Sequence, residues 1–273
     1  MSNQLVFLQE YIQRYRGKVK NEQNGIATFF DNLILSEGNA FLENKMQDEL
    51  STKILERAID TLSLSGQNRY VEVVSRITRL PFSDLDGYNR LCSQGVSNCF
   101  HWKGYPLFKS TYDLAIYQMM LSEIKPATII EIGSTYASLC WLKDMSDLFN
   151  LQACIVGIDQ NYPGSIPKNI EFRQGNVSEI HRLLPQERLL SLPKPLLIIE
   201  DAHFEVLTVL RYLGNVLTPN DYLVVEDSLR KQDVVLEWAK EMNNQFVVDT
   251  YYTDFFGINT TTAVNTILTR LKE

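Results

Sequence analysis

The chain has 273 residues, 45% of them hydrophobic and 11% aromatic, and a formal net charge of −7. This composition is typical of a globular protein with a full core, and no basic patch indicates nucleic-acid binding. No apolar stretch approaches the roughly 20 residues of a membrane span, and the first residues lack a signal-peptide pattern. The four cysteines show no Cys-x-x-Cys spacing, so we expect reduced thiols. These features predict a cytoplasmic protein without nucleic-acid or membrane partners.

The first 90 residues predict a helical extension. Apolar side chains recur at helical spacing, for example at Leu5, Leu8, Ile12 and Tyr15. This region contains no catalytic motif, and its helices suit packing, a lid or the contact of a homodimer. We therefore divide the chain into a helical extension, residues 1–90, and a second domain, residues 91–273.

From residue 128 onward the pattern changes to alternating strands and helices, which is typical of a doubly wound α/β sheet. We expect five parallel strands, followed by two final strands with no helix between them that pair antiparallel. The predicted strands are Thr128–Ile132, Ala153–Ile158, Ile170–Arg173, Leu196–Ile199, Tyr222–Val225, Phe246–Thr250 and Ala263–Thr269.

The ends of the first three strands predict a cofactor site. Glu131 and Gly133 close the first strand, and a glycine there lets a ligand approach the backbone. Asp159 closes the second strand, where such folds bind a ribose diol, and Asn176 follows the third. A carboxylate for a cationic group beside nucleoside-binding residues fits S-adenosylmethionine. The predicted cofactor residues at these strand ends are Glu131, Gly133, Ser134, Asp159, Gln160 and Asn176.

The fourth and fifth strands each end in an acidic pair. Leu196–His203 reads LLIIEDAH and ends with Glu200, Asp201 and His203, while Tyr222–Asp227 reads YLVVED. Hard divalent cations prefer oxygen ligands, and carboxylates on neighbouring strand ends can supply them. An imidazole that titrates near neutral pH suits a general base, the role we predict for His203. The alternatives are solvated loop carboxylates and a histidine that makes only a local hydrogen bond.

The chain from about residue 100 to its end resembles the cephalosporin hydroxylase-like and rhamnosyl O-methyltransferases. The resemblance rests on WKGYPLFKSTYDLAIYQMMLSEIKPATIIEIG, VGIDQ, IEDAH, DYLVVED and FFGINTTT, in this order. It implies a seven-stranded, Rossmann-like methyltransferase sheet, S-adenosylmethionine and a divalent metal, usually Mg²⁺. It also implies Glu200, Glu226 and Asp227 as metal ligands. Since the family generally has Asp at the first of these positions, Asp201 is the alternative to Glu200.

The same resemblance adds residues outside the strand ends. His203 lies where catechol-type methyltransferases place their general base. Lys109 and Asp113 match the family's pattern before the first strand, and Lys109 is expected to help enclose the cofactor. The chain departs from the family at Ala137 and Ser138, where a glycine pair is usual, and Asn176 stands where an aspartate is frequent.

These observations predict an S-adenosylmethionine-dependent, metal-assisted O-methyltransferase that acts on a hydroxyl of a natural product or sugar. One alternative is a binding or scaffold protein on a degraded methyltransferase fold, which Ala137 and Ser138 would favour. A nicotinamide oxidoreductase is the other alternative. It is disfavoured because Thr135 and Ser138 replace glycines of the dinucleotide fingerprint.

Overall fold

The structure is a computed structural model that describes residues 68–85 and 87–270, so the helices predicted before residue 68 lie outside the described residues. These described residues belong to one compact unit. Its strands are β1 (Tyr70–Glu72), β2 (His101–Trp102), β3 (Tyr105–Pro106), β4 (Thr128–Ile132), β5 (Cys154–Asp159), β6 (Ile170–Gln174), β7 (Leu196–Glu200), β8 (Tyr222–Val225), β9 (Phe246–Asp249) and β10 (Ile267–Arg270). Its helices are α1 (Val73–Arg79), α2 (Gly87–Gln94), α3 (Thr111–Ile124), α4 (Tyr136–Leu148), α5 (Ile180–Leu183), α6 (Gln186–Ser191), α7 (Val206–Gly214), α8 (Gln232–Glu241) and α9 (Thr250–Thr253).

Eight of these strands form one sheet in the order β1-β9-β10-β8-β7-β4-β5-β6. Within this sheet, β4, β5, β6, β7 and β8 are parallel to one another. Strand β10 runs antiparallel to both β8 and β9. The predicted doubly wound α/β sheet, with its seven strands and antiparallel final pair, is therefore confirmed.

Two local predictions were wrong. A strand, β1, lies in the range predicted as helical, where it pairs antiparallel with β9 at the sheet edge. A short helix, α9, separates the last two strands, although no helix was expected there. Its first turn is capped by Asp249, whose carboxylate accepts a hydrogen bond from the Tyr251 amide, and such a cap favours a helix start. The division at residues 90 and 91 remains a prediction.

The central strands are buried on both faces, which explains their continuous apolar sequences. Successive side chains of a strand point to opposite faces, and they enter two separate hydrophobic clusters. In β7, Leu197 and Ile199 join the cluster that contains the apolar side chains of α3 and α4. Leu196 and Ile198 join the cluster that contains those of α7 and α8. We call these the α3 face and the α8 face of the sheet.

Helix caps determine where α3 and α4 begin, close to the carboxyl ends of the parallel strands. Ser110 accepts a hydrogen bond from the Asp113 amide at the start of α3, and Thr135 and Ser138 form a reciprocal capping box at the start of α4. Lys109 thus lies directly before α3. No helix in the part of the chain that the structure describes combines the length and apolar character needed to cross a membrane.

Candidate active site

Side-chain alternation brings carboxylates from three adjacent strands to one face at the carboxyl edge of the sheet. Glu131 in β4 lies two residues after Ile129, on the α3 face. Asp201 directly follows β7, and Glu226 directly follows β8, and both reach the same lysine as Glu131. We call Lys109 and these three carboxylates the inner cluster.

The Lys109 ammonium is the centre of the inner cluster. Its Nζ lies 2.6 Å from Glu226 Oε1, 2.8 Å from Asp201 Oδ2 and 3.4 Å from Glu131 Oε1. Only 6% of Lys109 is exposed. The Tyr117 hydroxyl, from α3, donates a further hydrogen bond of 2.5 Å to Glu226 Oε1. Glu226 is therefore held inside the fold by a lysine and a tyrosine.

A second group, which we call the outer cluster, consists of Asp201, His203 and Asp227. His203 Nε2 lies 3.2 Å from Asp201 Oδ1 and 3.4 Å from Asp227 Oδ2. One ligand atom from each of the three residues lies within 4.8 Å of the others. The His203 and Asp227 side chains are half exposed, at 47% and 49%. Asp201 belongs to both clusters because its two oxygens face different partners.

Two residues of the outer cluster have a left-handed backbone. His203 has φ 58° and Asp227 has φ 46°. Such conformations are uncommon for residues with a side chain and occur often at functional sites.

Glu200, which the resemblance implies as a metal ligand, makes hydrogen bonds with the protein itself. It continues the alternation of Leu196 and Ile198 and is fully buried. Its Oε1 accepts hydrogen bonds from the backbone amides of Ala202 (3.1 Å) and His203 (3.3 Å). Its Oε2 accepts one from Lys231 Nζ at 3.3 Å. Glu200 thus supports the turn that carries Asp201 and His203, and the geometry favours Asp201, the alternative, as the carboxylate facing a cation.

The electrostatics of the two clusters follow from burial and from these pairs. Burial alone would lower the pKa of Lys109, but attraction by Glu226, Asp201 and Glu131 outweighs it and raises that pKa well above its ordinary value. Burial alone would raise the pKa of Asp201, but the charge of Lys109 and the hydrogen bond from His203 lower it. The hydrogen bond to Asp201 raises the pKa of His203. Both shifts favour the charged forms, a carboxylate at Asp201 and an imidazolium at His203.

The residues predicted to bind the cofactor lie at the ends of β4, β5 and β6. Gly133 has φ 88°, and a Cβ there would lie 2.5 Å from the Asp201 carbonyl carbon and the Ala202 amide nitrogen. Ser134 is buried, with its hydroxyl 3.4 Å from the Ile158 carbonyl oxygen. Gly133 is thus required for the close contact between the ends of β4 and β7, whereas the Ser134 side chain points inward.

The other predicted cofactor residues are partly or fully exposed. Asp159 accepts a hydrogen bond from the Asn161 amide at 2.7 Å. Asn176 caps a short helical turn by accepting one from the Ser178 amide at 2.9 Å. Gln160 is exposed, and its carbonyl oxygen accepts a hydrogen bond from Gln174. The structure therefore places these three side chains on the rim but does not bring them into contact with Glu131.

Ala137 and Ser138 do not narrow an open cleft. Ala137 is 1% exposed and belongs to the hydrophobic cluster of the α3 face. The Ser138 hydroxyl donates a 2.5 Å hydrogen bond to Glu131 Oε2 and accepts one from the Thr135 amide. No described residue hydrogen-bonds the other carboxylate oxygen of Glu131, Oε1.

The side chains at this edge suit the two bound groups that the sequence implies, a divalent cation and S-adenosylmethionine. The carboxylates of Asp201 and Asp227, which lie within 4.8 Å of each other beside the half-exposed imidazole, can hold a divalent cation, with water in the remaining positions. The buried Glu131 carboxylate at the end of β4 has one oxygen that accepts no hydrogen bond from the described residues, and together with polar side chains after β5 and β6 it is compatible with a cationic nucleoside.

This fold and its acidic rim define a methyltransferase-like α/β protein, and solved structures agree with that class. An apo structure of CmcI shares 22% identity and a TM-score of 0.56, covering 73% of this chain and 84% of CmcI. A CmcI structure with Mg-SAM shares 21% identity and a TM-score of 0.56, covering 76% and 93%. At this level of identity the likeness shows the fold.

The family follows from the sequence. The family model described as rhamnosyl O-methyltransferase/CmcI matches residues 94–270. The chain belongs to this family, and the resemblance drawn from its motifs is confirmed. A search of curated protein sequences found no match.

Proposed function

We propose that this protein is an S-adenosylmethionine-dependent O-methyltransferase that uses a divalent cation and acts on a hydroxyl group of a small molecule. The observation that carries the proposal is the outer cluster, in which Asp201, His203 and Asp227 converge at the carboxyl edge of the sheet. Ligands of doubly wound folds bind at this edge. The CmcI structure with Mg-SAM supports the same pair of groups.

Each residue of the outer cluster has a distinct task in this proposal. Asp201 and Asp227 would hold the cation, which would supply Lewis acidity for the acceptor hydroxyl, and bound S-adenosylmethionine would supply the methyl group. His203 Nε2 accepts the proton of the acceptor hydroxyl. Glu200 keeps the turn in place through the amides of Ala202 and His203. The protein contributes mainly alignment and charge, as is usual for transfer between two bound substrates.

The acceptor would meet an aromatic surface. Phe204 follows His203 and is 54% exposed, while Phe108 precedes Lys109 and is 68% exposed. Such side chains suit a natural-product scaffold or the apolar face of a sugar, the acceptor classes that we propose.

The contacts of Ala137 and Ser138 give little support to the alternative function, a scaffold protein on a degraded methyltransferase fold. Both side chains are directed into the protein, and Ser138 supports Glu131.

Asp227→Asn is expected to abolish methyl transfer while leaving S-adenosylmethionine affinity unchanged. Asn tolerates the left-handed backbone at this position but lacks the charge. We expect Mn²⁺ affinity to fall by at least about tenfold, because even indirect partners of a metal contribute that much. Asp233→Asn, an exposed carboxylate on α8, is the matched control and should change neither quantity. Full activity of Asp227→Asn in chelator would contradict the metal role.

A further inference from the structure

Four aromatic side chains form a continuous stripe on the surface beside α3. The ring of Tyr112, from the first turn of α3, has its centroid 5.5 Å from that of Phe256. The Phe256 ring lies 4.9 Å from that of Phe255, which lies 5.8 Å from that of Tyr251 in α9. Tyr251, Phe255 and Phe256 are 43%, 49% and 45% exposed. We call these four residues the aromatic stripe.

The segments that carry the aromatic stripe present no charged side chain to solvent. Residues 107–122 contain two charged side chains, Lys109 and Asp113, and both are buried. Residues 250–262 contain one, Asp254, which is also buried. Such a surface is distinctive in a chain of which 22% is charged. Depletion of charge and enrichment of aromatic side chains are typical of the core of a protein–protein interface.

The exposed area of the aromatic stripe is comparable to the apolar part of such an interface. Full burial of an aromatic side chain removes about 150–250 Å² from water, so the three rings that are nearly half exposed can bury about 300 Å² more. A standard interface buries about 800 Å² per partner, of which about 450 Å² is apolar. The aromatic stripe can therefore supply most of the apolar area of one interface.

We propose that the aromatic stripe is the contact surface of a homodimer, in which a second copy of this chain places its own stripe against the first. Two chains that each carry a net charge of −7 repel one another, and this repulsion is least where neither presents an exposed charge. A partner recognised by opposite charge would need exposed charge, which this surface lacks.

The aromatic stripe is also self-complementary, as the two-fold symmetry of a homodimer requires. Aromatic rings favour edge-to-face contacts, which two of the ring pairs within the stripe already make. Because Tyr112 lies three residues after Lys109, the interface would adjoin the candidate active site. The inference does not depend on the proposed methyl transfer.

Sedimentation velocity of the whole chain over a range of concentrations tests the proposal. The wild type should associate into a dimer with twice the mass of one chain. Phe255→Glu should raise the dissociation constant of this dimer at least about thirtyfold, the usual effect of losing a central interface residue. Leu190→Glu is the matched control, since Leu190 is 57% exposed on α6, which packs on the α8 face through Leu189. It should leave the dissociation constant unchanged.

Either of two results would overturn the proposal. One is a wild type that stays monomeric at every concentration. The other is a dimer that Phe255→Glu leaves intact, because its interface would then lie elsewhere on the chain.

A second measurement needs no variant and remains decisive if Phe255→Glu does not fold. Hydroxyl-radical labelling of the wild type, located by mass spectrometry, reports the exposure of individual aromatic side chains. Phe255 and Phe256 should be labelled less in the dimer than after dilution to the monomer. Tyr162, which is 52% exposed in the loop after β5, should be labelled equally in both samples. Equal labelling of Phe255 in both samples would also contradict the proposal.

Discussion

Replacing Arg76 by methionine is expected to lower the free energy of unfolding by about 3–5 kcal/mol, the typical effect of removing one partner of a buried ion pair. Arg76 Nη2 donates a 2.6 Å hydrogen bond to Asp254 Oδ1, and Arg76 Nε donates one of 2.9 Å to Asn265 Oδ1. The Asp254 side chain has no exposed surface, so its carboxyl group would be left buried without its cation. Urea denaturation followed by circular dichroism measures the change.

The control for this prediction lies on the same helix. Arg79 is exposed, and Arg79→Met should change stability by less than about 0.5 kcal/mol, as surface substitutions usually do. Equal effects of the two substitutions would contradict the role assigned to the buried pair.

Arg76 is also linked, through hydrogen bonds of one loop, to the residue that follows Asp227 in the candidate active site. It hydrogen-bonds Asp254 and Asn265 in the loop 254–266, in which the Thr262 carbonyl accepts a hydrogen bond from the Ser228 amide at 3.1 Å. Ser228 directly follows Asp227. We therefore expect Arg76→Met to weaken Mn²⁺ binding as well, under conditions in which the variant is still folded.

Gly133→Ala is expected to destabilise the protein and to displace Asp201. A left-handed backbone costs an alanine about 1–2 kcal/mol, and forced overpacking against the backbone adds about 1–3 kcal/mol. The added Cβ would lie 2.5 Å from the Asp201 carbonyl carbon, so Mn²⁺ affinity should fall together with stability.

Gly164→Ala isolates the contribution of the clash. Gly164 has φ 80°, close to that of Gly133, but a Cβ there would meet nothing within 4 Å. Gly164→Ala should therefore show the backbone effect alone and leave Mn²⁺ affinity unchanged. If Gly133→Ala behaved like this control, the close approach between β4 and β7 would not matter to the site.

The sheet could be predicted from the sequence because its central strands are continuous apolar segments with regular spacing. The strand β1 could not, because Tyr70–Glu72 is only three residues long and lies at the sheet edge, where one neighbour sets its conformation. Local sequence carries little information about such a strand.

The alternation of strand side chains gives a physical basis for choosing between Glu200 and Asp201, which the sequence leaves as alternatives. Residues 200 and 201 are adjacent, so they point to opposite faces, and only Asp201 shares the α3 face with Glu131. Residues two positions apart in a strand share a face, so Ile199 on the α3 face indicates that Asp201 also lies there. The pairing of Lys109 with Glu226 spans 117 residues, and no local pattern indicates it. Tyr117 belongs to the apolar face of α3, so its sequence position does not indicate a carboxylate partner, and Lys231 carries no local signal.

Calorimetric titration with S-adenosylmethionine, first with Mg²⁺ and then with chelator, tests the central claim most directly. We expect micromolar binding under both conditions, because in our proposal the ends of β4 to β6 hold the cofactor and the outer cluster holds the cation for the acceptor. Absence of binding under both conditions would contradict the methyltransferase assignment and would favour a scaffold that retains only the fold.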